Sequence, residues 1–424
     1  MRICFRPRGD AGRPLGAFLN WRSALICTLS LALPAWVAAQ TTAPGERISI
    51  NSGWRFQMGD PPGLTTPLMY DVRPVVTLTE DGKDADAKPE EAAKVAAARQ
   101  QVLKPWILPS GNAFIKDPAR RYQRPAGNPG GDVSYVQAGF DDSRWREVTL
   151  PHDWAITGPF LTEGPYGGMG RLPSWGIGWY RKQLEIPARD RDRSIFLDID
   201  GAMSYATVWL NGKLVGGWPY GYNSFRLDLT PHVNFGGPNQ LVVRLDNPPH
   251  SARWYPGGGL YRNVWLTKTN RVHVGHWGTR ITTPQVSKAA ATIELAVSID
   301  NDSQTEVSVD VSTDVYALDA GGKRTGGVVA KIKHGNARIA AGASAQVTGS
   351  TTLANPRLWG PRPTQTPNRY VAVTTVSRAG KAIDRYETRF GIRSLRLDPN
   401  NGVFVNDERI PLNGVNNHHD LGAL

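Results

Sequence analysis

The sequence predicts an all-β chain of two successive antiparallel sandwiches, and three observations carry that expectation. From Val133 onward, short runs of apolar and β-branched residues recur between turn residues, with no helical period. From His273 to about Phe390 the runs alternate cleanly and carry few aromatics, which suits an immunoglobulin-like sandwich of about 100 residues. Composition agrees, because 45 glycines and 32 prolines supply many turns and 14 tryptophans supply broad, flat surfaces.

The first 39 residues read as a leader. Arg2, Arg6, Arg8, Arg13 and Arg22 precede the apolar stretch from Ala24 to Val37, and Val37, Ala38 and Ala39 place small residues ahead of Gln40. That order is the secretory one, and the apolar run is short for a span of about 20 residues. A periplasmic or extracellular protein is expected, with no membrane attachment once the leader is cleaved. Cys4 and Cys27 are the only cysteines and both lie in the leader. Disulfides, zinc thiolates and a cysteine nucleophile are therefore not expected afterwards. Removing the leader takes five of 49 basic and one of 37 acidic residues, so net charge falls from +12 to +8. The basic residues are scattered. Their one cluster, Lys116, Arg120, Arg121 and Arg124, has no helix or aromatic ladder to organise it, and a solvated loop is expected there rather than a nucleic-acid site.

Residues 40–271 read as the first sandwich. Ile48, Ile50, Trp54 and Phe56 alternate as a half-buried strand. The pattern then breaks from Asp60 to Asp132, which is expected to be a surface insertion. Its middle, Pro89 to Leu103, is helical in type, with Pro at the first turn, Glu90 and Glu91 near the positive end and an Ala-rich interior. Strands are expected at Ile177–Ile186, Ile195–Ile199, Tyr205–Leu210, Phe225–Leu229, Gln240–Leu245 and Leu260–Thr267, with Asn211 and Gly212 forming a tight hairpin turn. In residues 272–390 strands are expected at Thr292–Ile299, Glu306–Tyr316, Ala345–Leu353 and Tyr370–Val376.

Residues 391–424 read differently. Phe404 and Val405 form an apolar edge, Asn406 and Asp407 a turn, and Ile410 to Val415 a second strand-like run into Asn416, Asn417, His418, His419 and Asp420. Polar, titratable side chains directly behind a strand are what the mouth of a (β/α)8 barrel presents. Such a barrel takes about 250 residues, so this stretch reads as its truncated first strand.

The run Asn413 to Asp420 resembles the first barrel strand of family 2 glycoside hydrolases, the β-galactosidase and β-glucuronidase group, and most closely the secreted bacterial β-galactosidase-like members. Upstream runs agree in order: Leu150 to Trp154, Gly178 to Arg181, Val208 to Gly212, and Arg253 to Arg262. The resemblance implies a jelly-roll, sugar-binding-type first sandwich, and a retaining exo-β-glycosidase of which this chain is an N-terminal portion. It also implies a β-linked saccharide, a galactoside, as substrate, and no cofactor. The histidine at position 418 would lie in the sugar pocket, with Asp420 accepting from a sugar hydroxyl or bracing a histidine, and His419 beside them. The family's aspartate ahead of the aromatic-Gly-Tyr-Arg run is missing, because that spot reads His250, Ser251, Ala252, Arg253.

Glycoside hydrolysis takes two carboxyl groups, about 5–5.5 Å apart for retention. The family's two glutamates lie on later barrel strands, so the 424 residues alone are expected to be inactive, with no catalytic residue among them. Asp198 and Asp200 share a strand face, but their Leu-Asp-Ile-Asp-Gly setting reads as a strand end meeting a turn. A metal at His418 and His419 is not expected, since consecutive residues of an extended chain point oppositely. Trp218, Tyr220, Tyr222 and Trp254 sit on Gly/Pro loops and suit stacking on saccharide faces, with wedging between domains as the competing role for Trp254. A secreted double sandwich that binds carbohydrate without chemistry is the alternative function.

Overall fold

The computed structural model of the protein describes residues 45–71, 101–115, 117–161, 172–249 and 255–415. The first sandwich holds β1 (Glu46–Ser49), β2 (Trp54–Met58), β3 (Leu68–Met69), β4 (Gln101–Val102), the short helix α1 (Lys104–Ile107) and β5 (Arg146–Val148). It continues with β6 (Gly176–Ile186), β7 (Arg193–Ile199), β8 (Ala206–Leu210), β9 (Lys213–Trp218), β10 (Phe225–Asp228), β11 (Gly237–Asn247) and β12 (Val264–Asn270). A four-stranded sheet, β1-β12-β7-β10, faces a six-stranded sheet, β5-β2-β6-β11-β8-β9. Between them lie Ile195, Leu197 and Ile199 of β7 against Leu241, Val243 and Leu245 of β11. Alternation on each strand sends these apolar side chains to one face and their neighbours to the other. Asn211 and Gly212 have φ of 51° and 77° and close the β8–β9 hairpin, the backbone a two-residue turn of this kind requires.

The segment from Asp60 to Asp132 does more than loop over the surface. Its described flanks, with Leu68, Leu103 and Ile107, join Val133, Tyr135 and Trp145 in a third layer over the outer face of the six-stranded sheet, against Trp179, Trp209 and Val242. Trp179 and Trp209 stack at 5.8 Å. Their N–H groups reach into that layer, to Asp60 at 2.9 Å and to the Pro129 carbonyl at 2.9 Å. The surface reading misses this because both sheet faces are apolar, and an uncovered tryptophan pair would leave a large patch in water. Gln101 and Val102 pair with β3 instead of ending a helix, and the Ala-rich residues 89–100 lie outside the described residues. Within the basic cluster, Arg124 is exposed yet donates to the Val215 carbonyl at 2.8 Å and to that of Leu214, so it anchors the segment to β9. Desolvation of its guanidinium lowers its pKa.

Only Arg271 separates β12 from the second sandwich. There β13 (Val272–Thr282), β14 (Ala290–Asn301), β15 (Val307–Leu318), β16 (Arg324–Ile339), β17 (Ser344–Ala354), β18 (Tyr370–Arg378) and β19 (Lys381–Phe390) form sheets β13-β14-β17 and β16-β15-β18-β19. This is the three-plus-four arrangement of an immunoglobulin-like domain. Ile293, Leu295, Val297 and Ile299 meet Val307, Val309 and Val311 across its core. The sequence reading passes over β13, β16 and β19. In β16 only Ala330, Ile332, Ala337 and Ile339 point inward and the ladder is irregular at Gly335, which blurs the period of two.

A small sheet follows, of β20 (Leu395–Asp398), β21 (Gly402–Val405) and β22 (Glu408–Ile410). Asn406 and Asp407, at φ 53° and 66°, make its turn as expected. The strand expected from Ile410 to Val415 stops at Ile410. Pro411 offers no N–H to a ladder, and Leu412 and Val415 are exposed, Val415 at 94%.

Candidate functional site

Three of the runs picked from the sequence, Leu150 to Trp154, Gly178 to Arg181 and the described part of Arg253 to Arg262, meet at one end of the first sandwich, where hydrogen bonds lace their loops together, while Val208 to Gly212 ends in the hairpin beside Gln240. Trp154 N–H donates to the Gly258 carbonyl at 3.0 Å, and His152 N–H to that of Leu260 at 2.9 Å. Asn247 bridges the Ser174 and Gly257 carbonyls at 2.7 and 2.9 Å, and the Tyr261 hydroxyl reaches Gly221 O at 2.9 Å. Gly258 and Gly259 are obligatory here. A Cβ on Gly258 would lie 2.6 Å from Trp154, and one on Gly259 would lie 2.4 Å from the His152 carbonyl at φ +120°.

Two titratable residues belong to this frame. The His152 ring lies against Phe56, accepts from Arg146 at Nε2 (2.7 Å), and faces the Tyr180 hydroxyl through Nδ1 at 2.8 Å. Burial, reinforced by Arg146, pushes its pKa down to about 4, so the ring is neutral and holds its proton on Nδ1. Asp153 accepts from the Tyr255 hydroxyl at 2.7 Å and from Ala155 N–H at 3.0 Å. Burial raises its pKa despite these donors.

Three of the four aromatic residues proposed for sugar stacking, Trp218 at the end of β9 and Tyr220 and Tyr222 in the loop after it, adjoin this frame. Tyr220 is 58% exposed and meets Tyr222 edge-on at 5.6 Å, while the Tyr222 hydroxyl donates to the Pro256 carbonyl at 3.4 Å. Trp218 is half-buried. Its ring stacks on Phe225 at 6.3 Å and meets the edge of Phe114 at 5.9 Å, so much of its surface is already covered. Phe114, exposed at the rim, is a fourth ring that the sequence reading passes over, since it lies in the segment treated as an insertion. Trp254, His418, His419 and Asp420 lie outside the described residues.

Asp198 and Asp200 are engaged elsewhere. Asp198 is buried and takes a two-pronged hydrogen bond from Arg226 at 2.5 and 2.9 Å and another from Thr267 at 2.7 Å. Burial pushes its pKa up, but Arg226 outweighs this and the carboxyl sits below its usual range. Asp200 accepts from Trp265 at 2.9 Å, and Arg47 lies within 3.7 Å of Asp198 and 3.4 Å of Asp200. Both carboxylates serve the sheet, and neither is free to act as an acid or nucleophile.

Two antiparallel sandwiches in tandem, the first with an aromatic loop end, define the class of scaffold. The family model described as "Glycosyl hydrolase 2 galactose-binding domain-like" matches residues 175–273, and that of "Glycosyl hydrolases family 2" matches residues 272–393. The chain belongs to glycosyl hydrolase family 2. It is 41% identical over 297 residues to the beta-galactosidase BoGH2A of Bacteroides ovatus, covering 70% of this chain and 34% of that protein. A beta-glucuronidase of Formosa agariphila is 28% identical over 299 residues, with 65% and 29% coverage. Among solved structures, a beta-glycosidase from Bacteroides vulgatus superposes with a TM-score of 0.61 at 25% identity, covering 89% of this chain and 38% of that one. The chain thus spans about a third of the length of the relatives it matches.

Proposed function

We propose that these residues form the double sandwich preceding the catalytic barrel of a retaining exo-β-glycosidase, with a β-linked galactoside as substrate. The observation that carries this is the likeness to the Bacteroides ovatus beta-galactosidase, which runs through both sandwiches at 41% identity. In this reading residues 40–271 and 272–390 are the two sandwiches and residues 391–424 begin the barrel. His418, His419 and Asp420 contact the sugar from that barrel strand. The leader over residues 1–39 exports the protein to the periplasm or beyond. The 424 residues alone are inactive, because the two glutamates of the family's mechanism are not among them.

The test is an assay of the purified chain against chromogenic β-galactoside and β-glucuronide, beside a chain extended by its downstream coding sequence. No turnover is expected from the first, and turnover preferring the galactoside from the second. Turnover by the 424 residues that disappears in His418→Ala would overturn the reading. Exposed Tyr220 and Phe114 favour a second one, a secreted carbohydrate-binding double sandwich. That reading gains if the extended chain is inert while lactose titrated into the protein releases heat saturably.

A further inference from the structure

A cleft of about 480 Å³ lies where β1, β7, β10 and β12 of the first sandwich meet β13 and β19 of the second, well apart in sequence from the aromatic loop. We propose that this cleft is a non-catalytic binding site for a neutral pyranoside, with Trp277 as its stacking platform. The proposal goes beyond the reading above and holds whether or not a barrel follows.

Trp277 is the first reason. It is 58% exposed, and its backbone sits at φ +51°, where a bulky L-residue is strained. No core contact offsets that strain. The residue belongs to a bulge, Gly275 to Gly278, at which the β13–β14 register breaks between Val274 and Thr279. Glycine is needed at both ends. A Cβ on Gly275 would lie 2.8 Å from the Asp300 carboxylate, and one on Gly278 would lie 2.7 Å from the Gly275 carbonyl. Bulges of this sort re-aim a side chain, and this one turns a tryptophan ring out at the cleft, tilted on His276 at 4.1 Å.

The polar lining is the second reason. Most of its charges are matched, with Asp198 held by Arg226, Asp384 taking the Val274 N–H at 2.8 Å, and Glu387 paired with Arg324, while Arg385 is exposed. The less exposed groups left without a hydrogen bond among the described residues are neutral. They are the Tyr386 hydroxyl, the His276 ring and the buried Thr269 Oγ1. Burial and the nearby Arg226 push the His276 pKa down to about 4, although Asp198 opposes this from 4.0 Å. An indole face for apolar C–H, ringed by uncharged donors and acceptors, matches a pyranoside. Arg226 and Arg47 are engaged by Asp198 and Asp200, and the remaining cation, Arg385, is exposed and screened by solvent, so an anionic sugar gains little.

The test titrates the purified chain with methyl β-D-galactopyranoside, and separately with methyl β-D-glucuronide, by calorimetry and ligand-observed NMR. Saturable binding of the galactoside at millimolar concentration is expected, with the glucuronide weaker. Trp277→Gly removes the ring and relieves the backbone, so binding should weaken by about tenfold or more while Tm holds or rises. Tyr386→Phe should weaken it by several fold. No saturable binding, binding unchanged in both variants, a preference for the glucuronide, or binding lost only in Tyr220→Ala would overturn the proposal.

Discussion

In the first sandwich the six-stranded sheet is packed on both faces, whereas in the second the β13-β14-β17 sheet buries one face and turns the other to solvent. The burial of β17 shows the second case, with Ser344, Gln346, Thr348 and Ser350 all exposed along one face. A sheet packed on one side can rest on alternation alone. A sheet packed on both sides must bury whatever polar groups its strands carry, and each then needs a partner from the covering layer. Arg181 and Arg244 make the point. Both are buried in the six-stranded sheet, and their guanidinium groups are met by Asp142 at 2.7 Å and Asp60 at 3.0 Å, carboxylates supplied by the covering segment.

This contrast can be broken by mutation. The largest effect is expected from Trp209→Ala, which empties the layer and unseats the Pro129 carbonyl. It should cost about 3–5 kcal/mol in denaturant unfolding and open the segment from Asp60 to Asp132 to protease. Asp60→Ala should cost about 3 kcal/mol, because it leaves the buried Arg244 with only the longer contact to Asp246 and the Trp179 N–H without its acceptor. If that variant unfolds like the parent, the layer is ornamental and the comparison fails.

Acid gives a smaller effect. His152 and His276 are held neutral when folded, with pKa lowered from 6.5 to about 4, so the unfolded chain binds more protons between those values. Stability is full above pH 6.5 and should fall by ~2 kcal/mol per histidine as pH drops towards 4. His152→Gln should flatten that slope in Tm against pH. Smallest of all, Thr348→Ala on the solvated face of β17 should stay within about 0.5 kcal/mol of the parent.

Most strands, the Asn211-Gly212 and Asn406-Asp407 turns and the order of the two sandwiches were legible along the chain, because turn chemistry and a period of two are local properties. The same local reading marked Tyr220 as a ring on a Gly/Pro loop. It did not reach β16, whose inward residues are few and whose ladder is irregular, nor the covering role of the segment after Asp60. Only the tertiary structure decided which face of Trp179 and Trp209 needs a lid, which carboxylate meets which arginine, and that Trp277 is lifted out by a bulge. Those outcomes depend on residues far apart in the chain, such as Asp60 with Arg244 and Gly275 with Asp300, and their meeting is fixed by packing rather than by any pattern along the chain.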